Sequence, residues 1–323
     1  MRSRRLVTAS LMAAITVGAW AIATPGRAQV PRPPLVLEPL GVRGEAIFPA
    51  FEGWGPDKTG ENLLLLLGYY NRNRSQELVI PVGPDNRIEP GGPDYGQPTH
   101  FYTGRQHGVF AIKVPKDFGA QRLTWTLTAN GQTSTVSFWL NPPYWINFYN
   151  HPANGNEPPV IRFTRNGPAM SGPPVGFAQT RSGTVGQPVA LTLWASDPPT
   201  LKVGAEEELR ARAASSGGAS PVAIVGDQVI GGAAPATGAK SEPPDITVNW
   251  RKHRGPGDVT FAQPQIPLIT HGDPKLSLEA STTAIFSAPG EYVIRAQVND
   301  TSGDGGGGEQ CCWTTAHVLV SIK

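Results

Sequence analysis

From about residue 46 onward the chain runs in short apolar stretches with polar residues at alternate positions, broken by Gly, Pro, Asn and Asp. That spacing predicts a β-sandwich rather than helices. Strands are expected at 46–51, 63–70, 77–82, 108–114, 122–128 and 132–140. The last two form the clearest pair. Leu123, Trp125 and Leu127 share one face, with Thr124, Thr126 and Thr128 on the other. Asn130-Gly131 tolerates the positive φ of a tight hairpin, and Val136, Phe138 and Leu140 continue the buried face on the return strand. The five leucines at 63–67 lack polar alternation. They suit a central strand covered on both faces, a strand whose outer face meets a second module, or a short buried helix; Gly68 and Tyr69-Tyr70 favour a strand.

The pattern breaks between 141 and 183, where Pro, Gly and aromatic residues crowd together and mark a linker. Tyr144, Trp145, Phe148 and Tyr149 in this stretch fit either packing between two modules or a stacking platform for a sugar or peptide. Alternation resumes at 184. Val189, Leu191 and Leu193 lie opposite Ala190, Thr192 and Trp194, and further strands are expected at 246–250, 258–261, 277–286, 291–299 and 314–322. On the last of these, Ala316, Val318, Val320 and Ile322 share a face opposite Thr315, His317, Leu319 and Ser321. Residues 201–244 interrupt the module with Gly, Ala, Ser and Pro, and too few large apolar side chains are present to offset the entropy of ordering them. A flexible insertion is expected there. The fold class is thus all-β, two sandwiches in tandem: an N-terminal module at 29–140 and a C-terminal module at 184–323.

Residues 282–286, 289–295 (Pro-Gly-Glu-Tyr-Val-Ile-Arg) and 298–300 (Val-Asn-Asp) resemble the closing strands of an immunoglobulin-like sandwich of the polycystic-kidney-disease or cadherin-like kind. The resemblance covers 184–323 and places Trp250 as the core tryptophan of the third strand. After Trp250 comes Arg251-Lys252-His253-Arg254-Gly255-Pro256-Gly257-Asp258, where that kind of module carries an acidic Gly-Asp-Gly turn. The N-terminal module is similar to immunoglobulin-like modules by strand count and spacing. The resemblance implies extracellular spacers and recognition modules.

Composition agrees with this picture. Gly (38) and Pro (33) make up about a fifth of the 323 residues, while only 16% are charged, which disfavours coiled coils and charged disordered tails. Three arginines before residue 6, an apolar run at 6–23 and Gly26-Arg27-Ala28 have the order of a secretory signal peptide at 1–28. The leader holds four Arg and no acid, so the formal charge of +2 becomes about −2 once it is removed. The remainder has no cluster of Lys and Arg to attract nucleic acid, and no second apolar run of spanning length. A periplasmic or secreted protein is expected, not integral to the membrane after cleavage.

Cys311 and Cys312 are adjacent and are the only cysteines. Neighbouring Cα atoms lie about 3.8 Å apart, below the usual disulfide range, so a vicinal ring requires a distorted peptide. A vicinal disulfide, an intermolecular bridge and thiolate metal ligands all remain open, and intact mass after alkylation without reductant separates the ring from free thiols. Asp300, Asp304 and Glu309 offer oxygen ligands for calcium, but Cys311 stands at the twelfth position of an EF-hand count from Asp300, which favours a solvated hairpin loop over a calcium site. His100 and His107 have no recognised metal spacing, and His151, His253, His271 and His317 are isolated in the sequence. Gly-x-Ser-x-Gly, Ser-x-x-Lys, phosphate-loop and zinc-protease motifs are absent from the sequence. Three classes of function follow: a non-catalytic recognition, adhesion or spacer protein meeting a protein or glycan of the cell envelope, with no cofactor; a carbohydrate-active protein using the segment around Trp145; and a metal or redox protein using Cys311 and Cys312.

Overall fold

The computed structural model describes residues 41–151, 155–197, 224–225, 228–229, 245–270, 273, 276–300 and 313–323. These residues are almost all strand and loop, with single 3-10 turns at Lys116–Phe118 and Pro142–Tyr144. The leader at 1–28 lies outside them.

The N-terminal sandwich packs one sheet of β1 (Ile47–Pro56), β2 (Asn62–Asn71) and β6 (Gly104–Pro115) on another of β4 (Asn86–Glu89), β7 (Leu123–Ala129) and β8 (Gln132–Phe138). A short ladder of β3 (Leu78–Val79) and β5 (His100–Phe101) closes one side. The β7–β8 hairpin forms as its alternation requires, with Asn130 and Gly131 at φ 51° and 76°. β4, β5 and the extension of β6 back to Gly104 escape the hydrophobic pattern because they are short or polar. β2 is the middle strand, antiparallel to β1 and β6. Leu65, Leu67 and Tyr69 enter the sandwich core, whereas Leu64 and Leu66 enter a second apolar cluster on the opposite face, with Phe148 and Trp313. The leucine run is therefore a strand buried on both faces.

A polar hub stiffens this core. Trp125, fully buried and edge-on to Phe110, donates its indole N–H to Asn86 Oδ1 at 3.0 Å, while Asn86 Nδ2 donates to the carbonyls of Ile80 and Pro98. Asn86→Leu strands three buried polar groups, each costing about 1–3 kcal/mol. Urea denaturation of that variant is expected to show a loss of about 3 kcal/mol or more.

The C-terminal sandwich has the immunoglobulin-like arrangement of four strands on five. One sheet runs β15 (Val259–Phe261), β17 (Leu278–Phe286), β11 (Pro188–Ser196), β9 (Val160–Arg162). The other runs β10 (Gln179–Gly183), β19 (Trp313–Ile322), β18 (Gly290–Asp300), β14 (Ile246–Arg254), β16 (Gln265–Leu268). Trp250 is buried in its core among Val248, Tyr292 and Ala296. Two strands precede Thr184: β9 pairs with β11, and β10 runs parallel to β19. Part of the segment read as linker thus belongs to this sandwich, and its brevity and Gly-Pro surroundings hid it. Within 201–244 only a two-rung ladder is described, β12 (Ile224–Val225) against β13 (Gln228–Val229).

Candidate functional site

The outward face of the five-stranded sheet is polar in sequence yet buried, because the N-terminal module covers it. Arg295, Gln297, Thr315 and His317 on β18 and β19, and His253 on β14, are all under 9% exposed. Arg295 Nη2 donates to Gln106 Oε1 (2.8 Å) and Gln297 Nε2 to the His107 carbonyl (2.9 Å). His317 Nε2 lies 3.1 Å from the Val109 carbonyl and His253 Nε2 lies 2.8 Å from that of Gly96, so each imidazole carries its proton on Nε2. Arg254 donates twice to Asp94, at 2.7 and 3.0 Å, and from Nε to the Gln97 carbonyl. Most donors come from the C-terminal module and most acceptors from the other, the Thr99 amide, which donates to the His253 carbonyl, being an exception. Such one-way complementarity fixes register more than it adds affinity.

Burial sets the protonation of this face. It lowers the His253 imidazole well below its ordinary range, helped by His317, whose ring lies 4.4 Å away; His317 itself is lowered to about 4. Burial also lowers Arg295 to about 10 and raises Tyr69 and Tyr102, while the Arg254 hydrogen bonds hold the Asp94 carboxyl low. The histidines are neutral donors, and the cation of Arg295 rests on carbonyl-type oxygen and aromatic neighbours.

The apolar half of the junction is built on one glycine. Bulges in β1 and β6 let Glu52 reach across the sheet, accepting from Arg105 Nη2 and from the Gly108 amide, both at 2.6 Å. Gly108, at φ 52°, receives the face of Trp313, and a Cβ there would lie 1.5 Å from the indole. Trp313 then packs with Leu64, Leu66 and Phe148. Two cavities flank His317. One of about 310 Å³ is lined by residues including Lys113, Tyr149, Met170, Val175 and Thr315; another of about 200 Å³ is lined by residues including Tyr95, Phe177, His253 and Arg254.

The residues singled out from sequence separate in space. Phe148 is fully buried in the junction and Tyr149 lines the larger cavity, whereas Tyr144 and Trp145 are 48% and 52% exposed near the N-terminal module, Tyr144 lying 5.4 Å from the Phe51 ring. Phe148→Ala is expected to cost about 3–5 kcal/mol and Trp145→Ala about 0.5 kcal/mol or less, measured by urea denaturation. Asp300 is buried and accepts from Asn156 Nδ2 at 2.9 Å. Asp304, Glu309, Cys311 and Cys312 lie outside the described residues. His100 pairs with Glu77 and His107 approaches Glu52, so these two do not share a partner. Among the described residues no group of three His, Cys, Asp or Glu converges as a metal site, and no helix is long and apolar enough to cross a membrane. The pairing of His253 with His317, 64 positions apart, escaped the sequence reading. The one signal for it was the run Arg251-Lys252-His253-Arg254, where the resemblance implies acidic residues.

No family model matches the chain, and no curated protein does. Among solved structures it is similar to the D00-D0 domain of intimin, at 12% identity and a TM-score of 0.24, over 86% of this chain and 100% of that one. A titin A168–A169 structure is similar at 13% identity and a TM-score of 0.19, over 85% and 98%.

Proposed function

We propose that this is an exported, non-catalytic protein in which two immunoglobulin-like sandwiches form one stiff body that serves recognition, adhesion or spacing at the cell envelope. The observation that carries this reading is the docked polar face. A sheet surface that could slide or open is instead held by Arg295, Gln297, His253, His317 and the Arg254–Asp94 pair, so the loops at both ends keep a constant relation. A spacer or an adhesive module needs that constancy to hold distance or to present loops together. The core position of Trp250 and the β17–β18 hairpin support kinship with the polycystic-kidney-disease or cadherin-like kind. The test sets retention of the protein on envelope fractions beside a broad hydrolase panel. Retention without turnover is expected, and turnover of any glycan or peptide substrate overturns the reading.

A second reading, glycan recognition, is favoured by the adjacent exposed rings of Tyr144 and Trp145. A glycan array with wild type and Trp145→Ala tests it. Binding lost in a variant of unchanged melting temperature supports the platform, and binding retained removes it.

A further inference from the structure

β10 enters the five-stranded sheet with a rung missing. The β10–β19 ladder is parallel from Gln179–Val318 onward, and Ala178 donates to the His317 carbonyl. That bond is one residue out of the ladder's register, in which Gln179 would donate to the His317 carbonyl; counted back from Ala178 at parallel spacing, Pro174 would accept from the Thr315 amide, and Gly176 would bond both the Thr315 carbonyl and the His317 amide. The Thr315 amide donates instead to the Gly172 carbonyl. Two residues too many therefore lie between Gly172 and Ala178. Pro173 and Pro174 have no amide to give, and Gly176, at φ 64°, turns with Val175 and Phe177 out to solvent.

On β19 alternate residues point their backbone groups to the same edge, so the Thr315 carbonyl and the His317 amide face the gap. Among the described residues neither has a backbone partner on that edge. The gap opens on the cavity of about 310 Å³, a volume within the range of ligand sites. Its apolar lining comes from Met170, Val175, Tyr149 and Ala316, and its rim carries Lys58 and Lys113 against Asp57 and Glu61. The mixed rim gives no preference for ligand charge, whereas the backbone pair demands a donor and an acceptor spaced as in one residue of extended chain.

We infer that the break between Gly172 and Ala178 is a binding slot for an extended peptide, one residue of which completes the missing rung on Thr315 and His317 and lays an apolar side chain against Met170 and Val175. This is strand addition of the smallest kind: main-chain bonds supply affinity and the cavity supplies side-chain preference. It deepens the recognition reading and rests on it.

The test uses the full mature chain, ¹⁵N-labelled, with acetylated and amidated pentapeptides carrying a central Val, Leu, Phe or Tyr between alanines. Without peptide, the His317 amide is expected to exchange with solvent faster than the Thr315 amide. With peptide its resonance shifts and its exchange slows. Ala169 is exposed on the cavity rim, beside Met170, whose backbone is held by paired bonds to Ile161. Ala169→Trp fills the cavity from outside, and should weaken peptide binding by about tenfold or more while the melting temperature is unchanged. A His317 amide already protected in the free protein, or undiminished binding by folded Ala169→Trp, overturns the slot. Retention on envelope fractions by a wild type whose Thr315 and His317 resonances ignore every peptide also overturns it, and leaves the recognition reading intact.

Discussion

Gly108→Ala will destabilise the protein by about 2–4 kcal/mol and bring Trp313 into contact with solvent. The Cβ would lie 1.5 Å from an indole that Leu64, Leu66 and Phe148 enclose, so the ring has nowhere to yield. Alanine at φ 52° adds about 1 kcal/mol of backbone strain to an overpacking cost of about 1–3 kcal/mol. The Glu52 carboxylate ties the Gly108 amide down, which prevents relief by a local shift of β6. Thermal denaturation followed by tryptophan fluorescence reads both effects. A melting temperature equal to wild type, with an unchanged emission maximum, would show that Trp313 does not seat on Gly108.

Acidification will loosen the junction between pH 6.5 and 4. His317 is lowered from 6.5 to about 4 by burial, and His253 is lowered further still. In this window the unfolded chain binds protons that the folded chain refuses, so stability rises with pH and is lost as pH falls below 6.5. His317 alone accounts for about 3 kcal/mol of that loss, complete near pH 4. Asp94 works in the same direction at lower pH: its depressed carboxyl contributes above the ordinary value of 3.8 and fails below it. Arg254 and Arg295 oppose any imidazolium here, as each of them lowers both histidines. His317→Gln keeps a donor toward the Val109 carbonyl without a titrating ring. Its melting temperature is therefore expected to fall less than that of wild type between pH 7 and pH 4.5, and equal slopes would refute the assignment.

Local pattern carried far into this fold. The alternation at 122–140, the turn at Asn130-Gly131 and the apolar set Ala316, Val318, Val320 and Ile322 each required only neighbours along the chain, and each forms as read. The leucine run announced burial on both faces, since an unbroken apolar strand has no side to offer water. β4, β5, β9, β10 and β16 were hidden because short edge strands are held by partners distant in sequence rather than by their own periodicity.

The candidate site was scarcely legible. His253 and His317 are single imidazoles on polar strand faces, and Arg295 and Gln297 alternate with apolar residues as any solvated face would. By itself the sequence determined two sandwiches, their inward faces and the apolar character of Phe148. Only the tertiary structure decided that the outward face of the second sandwich would be buried. Alternation records which residues turn from their own core, whereas what covers the other side depends on a second module whose carbonyls meet those donors through space.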